Sequence, residues 1–141
     1  MKKIVYIVLF VVCIMSCSGD YDMNRLIAGD SCQYWHVLTP DSEGKTKVFY
    51  YFDRKGKWIT LVESYWDKKC RLPEEDDVVC EPIWFLKNDS VIKMGEFDRS
   101  IEVVNDTFII LTLEGYHHWI DTLYKVTDPQ QLKKLKEVPI P

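Results

Sequence analysis

Apolar and polar residues alternate with a two-residue period through much of the chain from Leu26 onward, the pattern of strands that turn one face to a core. Eight stretches show this alternation or are rich in β-branched and aromatic residues: 31–38, 46–53, 57–66, 81–87, 90–94, 99–104, 107–114 and 118–127. Turn-forming residues separate most of them, at Asp53-Arg54-Lys55-Gly56, Asn88-Asp89, Gly95, Asn105-Asp106 and Gly115. Short turns make successive strands antiparallel neighbours. In the seventh stretch Ile109, Leu111 and Leu113 share a face opposite Thr112 and Glu114, and in the eighth Ile120, Tyr124 and Val126 oppose Asp121 and Lys125. A helix follows, with Asp128 as N-cap, Pro129 at its first position, and Leu132 and Leu135 on one face. The expected fold is all-β: an up-and-down antiparallel β-barrel of about eight strands with a short C-terminal helix.

Two stretches are apolar on both faces, Val48-Phe49-Tyr50-Tyr51-Phe52 and Ile83-Trp84-Phe85-Leu86. A barrel leaves its outward face wet, so these aromatics predict a core together with a patch that a helix or loop covers. The alternative is an apolar pocket in the barrel mouth. Trp58, Val62 and Trp66 fall on one face of the third stretch, with only Thr60 and Ser64 between them. With Trp84 they form the candidate pocket wall. On this reading the interior is apolar and aromatic, and ionisable groups sit at turns, where water screens them.

The first seventeen residues follow another pattern. Lys2 and Lys3 precede an apolar run over residues 4–15, and Ile14-Met15-Ser16-Cys17 closes it. This reads as a secretory signal peptide, residues 1–16, ending in a lipobox. The run is about half of the ~20 apolar residues a membrane-crossing helix needs. The small Ser16 admits a peptidase, and the Cys17 thiol is the group that accepts a diacylglyceryl chain. Residues 17–25 are then a lipidated tether and 26–141 the β domain. Residues 18–24 are small, acidic and polar, with nothing to bury. At ~3.3–3.6 Å per residue the tether reaches about 30 Å, which keeps the domain close to its membrane. Ser18 after the lipidated cysteine implies transfer to the outer membrane. Asp20 and Asp22 are read either as a surface-export signal or as solvation of the tether, so the expected site is an outer-membrane lipoprotein on the periplasmic face or the cell surface.

Charge narrows the partners. Eighteen basic and 22 acidic residues give a formal charge of −4, and loss of Lys2 and Lys3 with the leader takes it to −6. That argues against nucleic acid and against a polybasic membrane contact, so attachment has to come from lipid.

Several segments together resemble the small lipocalin-like lipoproteins of Gram-negative anaerobes. They are the lipobox, the helical lead-in Asn24-Arg25-Leu26-Ile27-Ala28-Gly29, the Trp-bearing strand Cys32-Gln33-Tyr34-Trp35-His36-Val37, and Tyr51-Phe52-Asp53-Arg54-Lys55-Gly56-Lys57-Trp58. Trp84-Phe85-Leu86-Lys87-Asn88-Asp89-Ser90-Val91 and Val103-Val104-Asn105-Asp106-Thr107-Phe108-Ile109-Ile110 continue it. The resemblance spans roughly residues 24–127 as an order of strands and turns, with the lipocalin Gly-x-Trp stretched to five residues between Gly29 and Trp35. It implies a calyx for small apolar ligands.

Cys13 leaves with the leader and Cys17 is lipidated, so Cys32, Cys70 and Cys80 remain. A hairpin centred on Glu75 brings Cys70 and Cys80 face to face in an oxidising compartment, which makes them the candidate disulfide, with the other pairings open. Three scattered cysteines lack zinc spacing, and adjacent His117 and His118 point to opposite faces of a strand, so no metal and no cofactor is expected. The acidic run Glu74-Glu75-Asp76-Asp77 lacks the alternation and glycine of a calcium loop. Asn88-Asp89-Ser90 and Asn105-Asp106-Thr107 have the form of glycosylation sequons and equally of turns that start a strand. Nucleophile, metalloprotease, phosphate-loop and dinucleotide motifs are missing, so the chain is not expected to be an enzyme. Two classes remain: a ligand-binding barrel at the outer membrane, or an accessory protein that binds another outer-membrane or surface component through an exposed aromatic face or edge strand.

Overall fold

In the computed structural model, which describes residues 22–39, 46–74, 81–113, 115 and 119–141, the alternating segments hydrogen-bond into one antiparallel sheet of nine strands. They are β1 (Cys32–Leu38), β2 (Lys47–Asp53), β3 (Trp58–Glu63), β4 (Cys70–Arg71), β5 (Trp84–Asn88), β6 (Val91–Met94), β7 (Phe97–Asn105), β8 (Phe108–Leu113) and β9 (Ile120–Lys125). The order across the sheet is β4-β3-β2-β1-β9-β8-β7-β6-β5. Every neighbouring pair but β1 and β9 is also consecutive in sequence, so the chain is a meander whose first and last strands pair. All eight expected strands form. The two-residue β4 is added where the sequence predicts only a loop, and the expected third strand stops at Glu63 instead of residue 66. There the chain reverses: the Ser64 amide donates to the Lys69 carbonyl, the Lys68 amide to that of Ser64, and Lys68 takes a left-handed φ of 55°.

The expected C-terminal helix is present as α2 (Pro129–Lys136), preceded by the short α1 (Met23–Ala28) at the other end of the domain. In α2, Asp128 accepts from the Gln131 amide at 2.9 Å and Pro129 occupies the first turn, while Lys133, Lys134 and Lys136 complement the negative end of the helix. In α1, Asp22 accepts from the Arg25 amide, and Gly29 ends the helix at φ 61°, ψ −154°. That backbone conformation is nearly confined to glycine. A Cβ at this position would lie 3.0 Å from the Cys32 carbonyl oxygen.

Two apolar layers hold the sheet. On its inner face Ile27, Ala28, Trp35, Phe52, Ile92, Leu111 and Leu123 are fully buried, drawn from α1 and from β1, β2, β6, β8 and β9. The sheet curls enough that Phe52 of β2 meets Trp84 of β5 edge to face at 5.5 Å. The Trp35 indole donates to the Ile27 carbonyl at 2.9 Å, which partners a buried N–H and a carbonyl of α1 in one bond. On the outer face α2 lays Leu135 and, just beyond it, Val138 over Tyr34, Phe49, Ile59 and Leu61. Burying Leu135 completely contributes about 1.5–3 kcal/mol. The two-faced aromatics of β2 are thus divided between an inner core and a helix-covered patch, as their lack of alternation implies.

Two expectations fail. The tether was to bury nothing through Asn24, yet Met23 packs into the inner core at 7% exposure, so the folded unit begins by Met23. The eighth expected strand forms as β9 with its faces reversed: Asp121 and Leu123 are fully buried, while Ile120 and Tyr124 are each 42% exposed, and of the expected inward set only Val126, just past the strand, is buried, in the outer cluster with Leu135. Pairing decides this, because β8 sets Leu111 beside Asp121 and Ile109 beside Leu123, and both β8 partners face inward.

Candidate functional site

The reversal of β9 carries a carboxylate into the inner core. Asp121 stands second in β9, and β9 runs antiparallel to β1, so it lies toward the end of the sheet away from α1. Arg99 of β7 reaches it from two strands away and donates through Nη1 to Asp121 Oδ2. The same oxygen accepts from the Tyr50 hydroxyl of β2 at 3.0 Å. Tyr50 in turn packs edge to face against Trp58 at 5.6 Å and Phe52 at 6.1 Å. Asp121 is 0% exposed, and Tyr50, Arg99 and Trp58 are 7–8% exposed.

Burial, reinforced by the charge of Asp121, pushes the Tyr50 phenol far above its ordinary range. Tyr50 is therefore a fixed hydrogen-bond donor at any physiological pH. Arg99 and Asp121 neutralise one another, so the cluster carries no net charge. Three of its buried atoms have no hydrogen-bond partner among the described residues: the donors Trp58 Nε1 and Arg99 Nε, and the acceptor Asp121 Oδ1. Buried polar groups are nearly always paired, and each one left unmet costs roughly 1–3 kcal/mol. The chemistry on offer is recognition of a small polar group that both accepts and donates.

The candidate pocket residues divide. Trp58 and Val62 point inward from β3, opposite Phe52 and Val48 of β2. Trp84 joins them from β5, its indole donating to the Asp53 carbonyl at 3.0 Å. Trp66 does not. It lies in the reversal between β3 and β4 and is 88% exposed beside Tyr65, because the strand ends before its alternation reaches residue 66. Nor is the interior wholly apolar, since the Arg99–Asp121 pair sits within it. The missed signal lay in the two-residue spacing itself: Arg99, Ile101 and Val103 share one face of β7, as Asp121 and Leu123 do of β9.

Cys17 and Cys80 lie outside the described residues, and with them the lipidation site and the expected disulfide. Cys70 is a half-buried thiol on β4 at a second polar cluster. There Glu63, 4% exposed, accepts from the Gln131 side-chain amide at 3.0 Å and pairs with Lys134 at 3.4 Å and Lys47 at 3.8 Å. Burial opposes ionisation of Glu63, but the Gln131 hydrogen bond and the two lysines outweigh it and hold the carboxyl below its usual range. Burial and the Glu63 charge push the Cys70 thiol up, which favours the protonated form. This cluster fastens α2 to the edge of the sheet.

The two sequon-like triplets act as turns: Asn88 Oδ1 accepts from the Ser90 amide and Asn105 Oδ1 from the Thr107 amide. Among the described residues no group of three or more His, Cys, Asp or Glu side chains could hold a metal ion, and no helix is long and apolar enough to cross a membrane. No family model, no curated protein and no solved structure matches the chain.

Proposed function

We propose that this is an outer-membrane lipoprotein, anchored through lipidated Cys17, whose sheet closes as a lipocalin-like up-and-down barrel and holds a small amphipathic ligand against the Trp58–Tyr50–Asp121–Arg99 cluster. The pairing of β1 with β9 supports the barrel, since it leaves only the side between β3–β4 and β5 to be joined. Across that side Lys57 and Ile83 form an isolated bridge, flanked by bonds from the Trp58 amide to the Pro82 carbonyl at 3.0 Å and from the Trp84 amide to that of Gly56 at 2.8 Å.

The observation that carries the ligand reading is the set of unpartnered atoms, Trp58 Nε1, Arg99 Nε and Asp121 Oδ1. Because Arg99 and Asp121 already balance, a charged head group would add an uncompensated charge to a desolvated site. The ligand class is therefore a molecule with an apolar body and a neutral head, such as a hydroxyl or primary amide. Titrating the protein with a long-chain fatty alcohol, with the matching fatty acid as comparison, should change tryptophan emission saturably and favour the alcohol. Trp58→Phe keeps an aromatic ring and loses the N–H, so it should weaken alcohol binding by roughly 2–10-fold, the worth of one hydrogen bond. No saturable change with either probe would overturn the ligand reading. Native mass spectrometry of the protein from its own host tests the acyl mass on Cys17 and any retained ligand together.

The exposure of Trp66 and Tyr65 at the tip of the β3–β4 hairpin favours a second reading, an accessory protein that docks on another envelope component. In that case Trp66→Ala abolishes co-purification of the partner while leaving alcohol binding unchanged.

A further inference from the structure

Four aromatic rings stand in one row on the outward side of the sheet. Phe108 of β8 pairs with Tyr124 of β9, Tyr124 with His36 of β1, and His36 with Phe49 of β2. Phe108 and Tyr124 stack at 4.7 Å with their planes 6° apart, and His36 lies 5.2 Å from Phe49 with planes 32° apart. Between Tyr124 and His36 the row is interrupted: their strands pair, yet their rings are not in contact. A cleft of about 300 Å³ opens at this break. His36 and Phe49 form its floor, Tyr124 one side, and Asp128 and Gln131 at the start of α2 the other. Because Phe108 comes from the next strand and covers one face of the Tyr124 ring, the other face turns toward β1 and the cleft. It is the open end of a stack, and a flat ring entering beside it gains the contact that aromatic pairs favour.

The charges at the cleft select what that ring carries. Asp128 is engaged by the Gln131 amide at 2.9 Å, as the cap of α2. Glu63, behind Lys47, is met by the Gln131 side chain at 3.0 Å and by Lys134 at 3.4 Å. Lys47 is the loosely held charge, with a 58% exposed side chain and its ammonium 3.8 Å from Glu63. Lys125 also borders the cleft. Lys47, Lys125 and Lys134 against Glu63 and Asp128 leave an excess of positive charge here, in a chain whose formal charge is −4. Burial, aided by Lys47 and opposed by Glu63, holds the His36 imidazole below its ordinary range, so the floor is uncharged at neutral pH.

We propose that this cleft binds a flat aromatic acid, its ring stacked on the free face of Tyr124 above His36 and Phe49 and its carboxylate turned to Lys47. An aromatic amine would meet only carboxylates that are already satisfied, and would do so among three lysines. A saturated acid would forgo the stack. The cleft shares no side chain with the Trp58–Tyr50–Asp121–Arg99 cluster, so it does not depend on an interior ligand.

Titration of the full chain in detergent with naphthoate, followed through the histidine ring resonances, tests this. His36 is assigned by its loss in His36→Gln, and circular dichroism reports the fold of each variant. Naphthoate should shift His36 saturably and raise the pH at which it titrates, because an anion beside the ring favours the imidazolium. Naphthamide, flat but uncharged, should bind more weakly and leave that pH unmoved. Lys47→Gln should weaken naphthoate by roughly two- to fivefold, the worth of an exposed ion pair, and leave naphthamide unchanged. Tyr124→Ala should weaken both by roughly three- to tenfold, the worth of one stacked pair. Should a variant fail to fold, the wild type decides alone: naphthoate must bind more tightly than both naphthamide and cyclohexanecarboxylate. No saturable shift of His36, equal affinity for acid and amide, or a folded Lys47→Gln or Tyr124→Ala that binds naphthoate like the wild type would overturn the proposal. So would displacement of naphthoate by a long-chain fatty alcohol, which would place the probe in the interior.

Discussion

Replacing Asp121 by leucine isolates the energetics of the interior cluster. The substitution leaves the Arg99 guanidinium charged and nearly buried without its counter-ion, and removes the acceptor of the Tyr50 hydroxyl. Breaking a buried pair by deleting one member costs about 3–5 kcal/mol. Since domains of this kind are stable by only ~5–15 kcal/mol, that loss leaves a marginal fold. The companion variant removes both charges, Arg99→Met with Asp121→Leu, and fills the same volume with apolar groups. It should recover most of that loss, because two desolvation penalties disappear together, and stay about 1–3 kcal/mol below the wild type, because the buried Tyr50 hydroxyl has no acceptor. With Arg99→Met alone as the remaining corner, the measurements form a double-mutant cycle with a coupling of several kcal/mol. Urea unfolding followed by tryptophan emission reads it: at a slope of ~2 kcal/mol per molar, the single variant should shift the midpoint down by about 2 M with the slope unchanged. A single variant displaced by under ~0.5 M, or a double variant that loses as much as the single, would refute the buried-pair account. The double variant should also bind fatty alcohol more weakly than the wild type does, since two of the three polar atoms that meet the head are gone.

The two clusters of aromatics separate in stability measurements: Trp84→Ala should destabilise by about 3–5 kcal/mol, and Trp66→Ala by no more than ~0.5 kcal/mol, with Trp66 the tryptophan most open to acrylamide quenching. Glu63 has a folded carboxyl held below its ordinary value of 4.5, so its contribution is present above that pH and lost as pH falls through the folded value. Melting temperature should accordingly drop on acidification below about pH 4.5, and Glu63→Gln should flatten that part of the profile. Gly29→Ala forces a side chain into a glycine-only conformation against the Cys32 carbonyl, and should lower the denaturation midpoint by the equivalent of at least ~1 kcal/mol, whereas Asp30→Ala next to it should not.

The existence of every strand but β4, their order along the chain and the C-terminal helix were legible in the sequence because each rests on local chemistry. Turn residues at Asp53–Gly56, Asn88–Asp89 and Asn105–Asp106 interrupt the alternation, and Asp128-Pro129 opens α2 with a capping group and a fixed φ. The shared face of Trp58 and Val62 was legible for the same reason: alternate residues of a strand share a face whatever the strand packs against, whereas Trp84 lies in a stretch apolar on both faces and alternation did not place it. Trp66 was misplaced because periodicity does not state where a strand stops. The reversal at 64–69 depends on pairing between Glu63 and Cys70, a contact formed only with β4 in place.

The composition of each face was therefore decided locally, and its orientation was not. In β9 the sets Ile120, Thr122, Tyr124 and Asp121, Leu123 are both written in the sequence, and hydrophobicity by itself favours burying the first. The tertiary structure buries the second, because β9 has to match the inward residues of β8 on one side and of β1 on the other, and a slip of one residue would reverse every side chain at once. Arg99, two strands away, makes that choice tolerable by neutralising Asp121. Neither residue signals the other along the chain, and only the curl of the sheet, with Tyr50 arriving from β2, turns two charges and a phenol into a site.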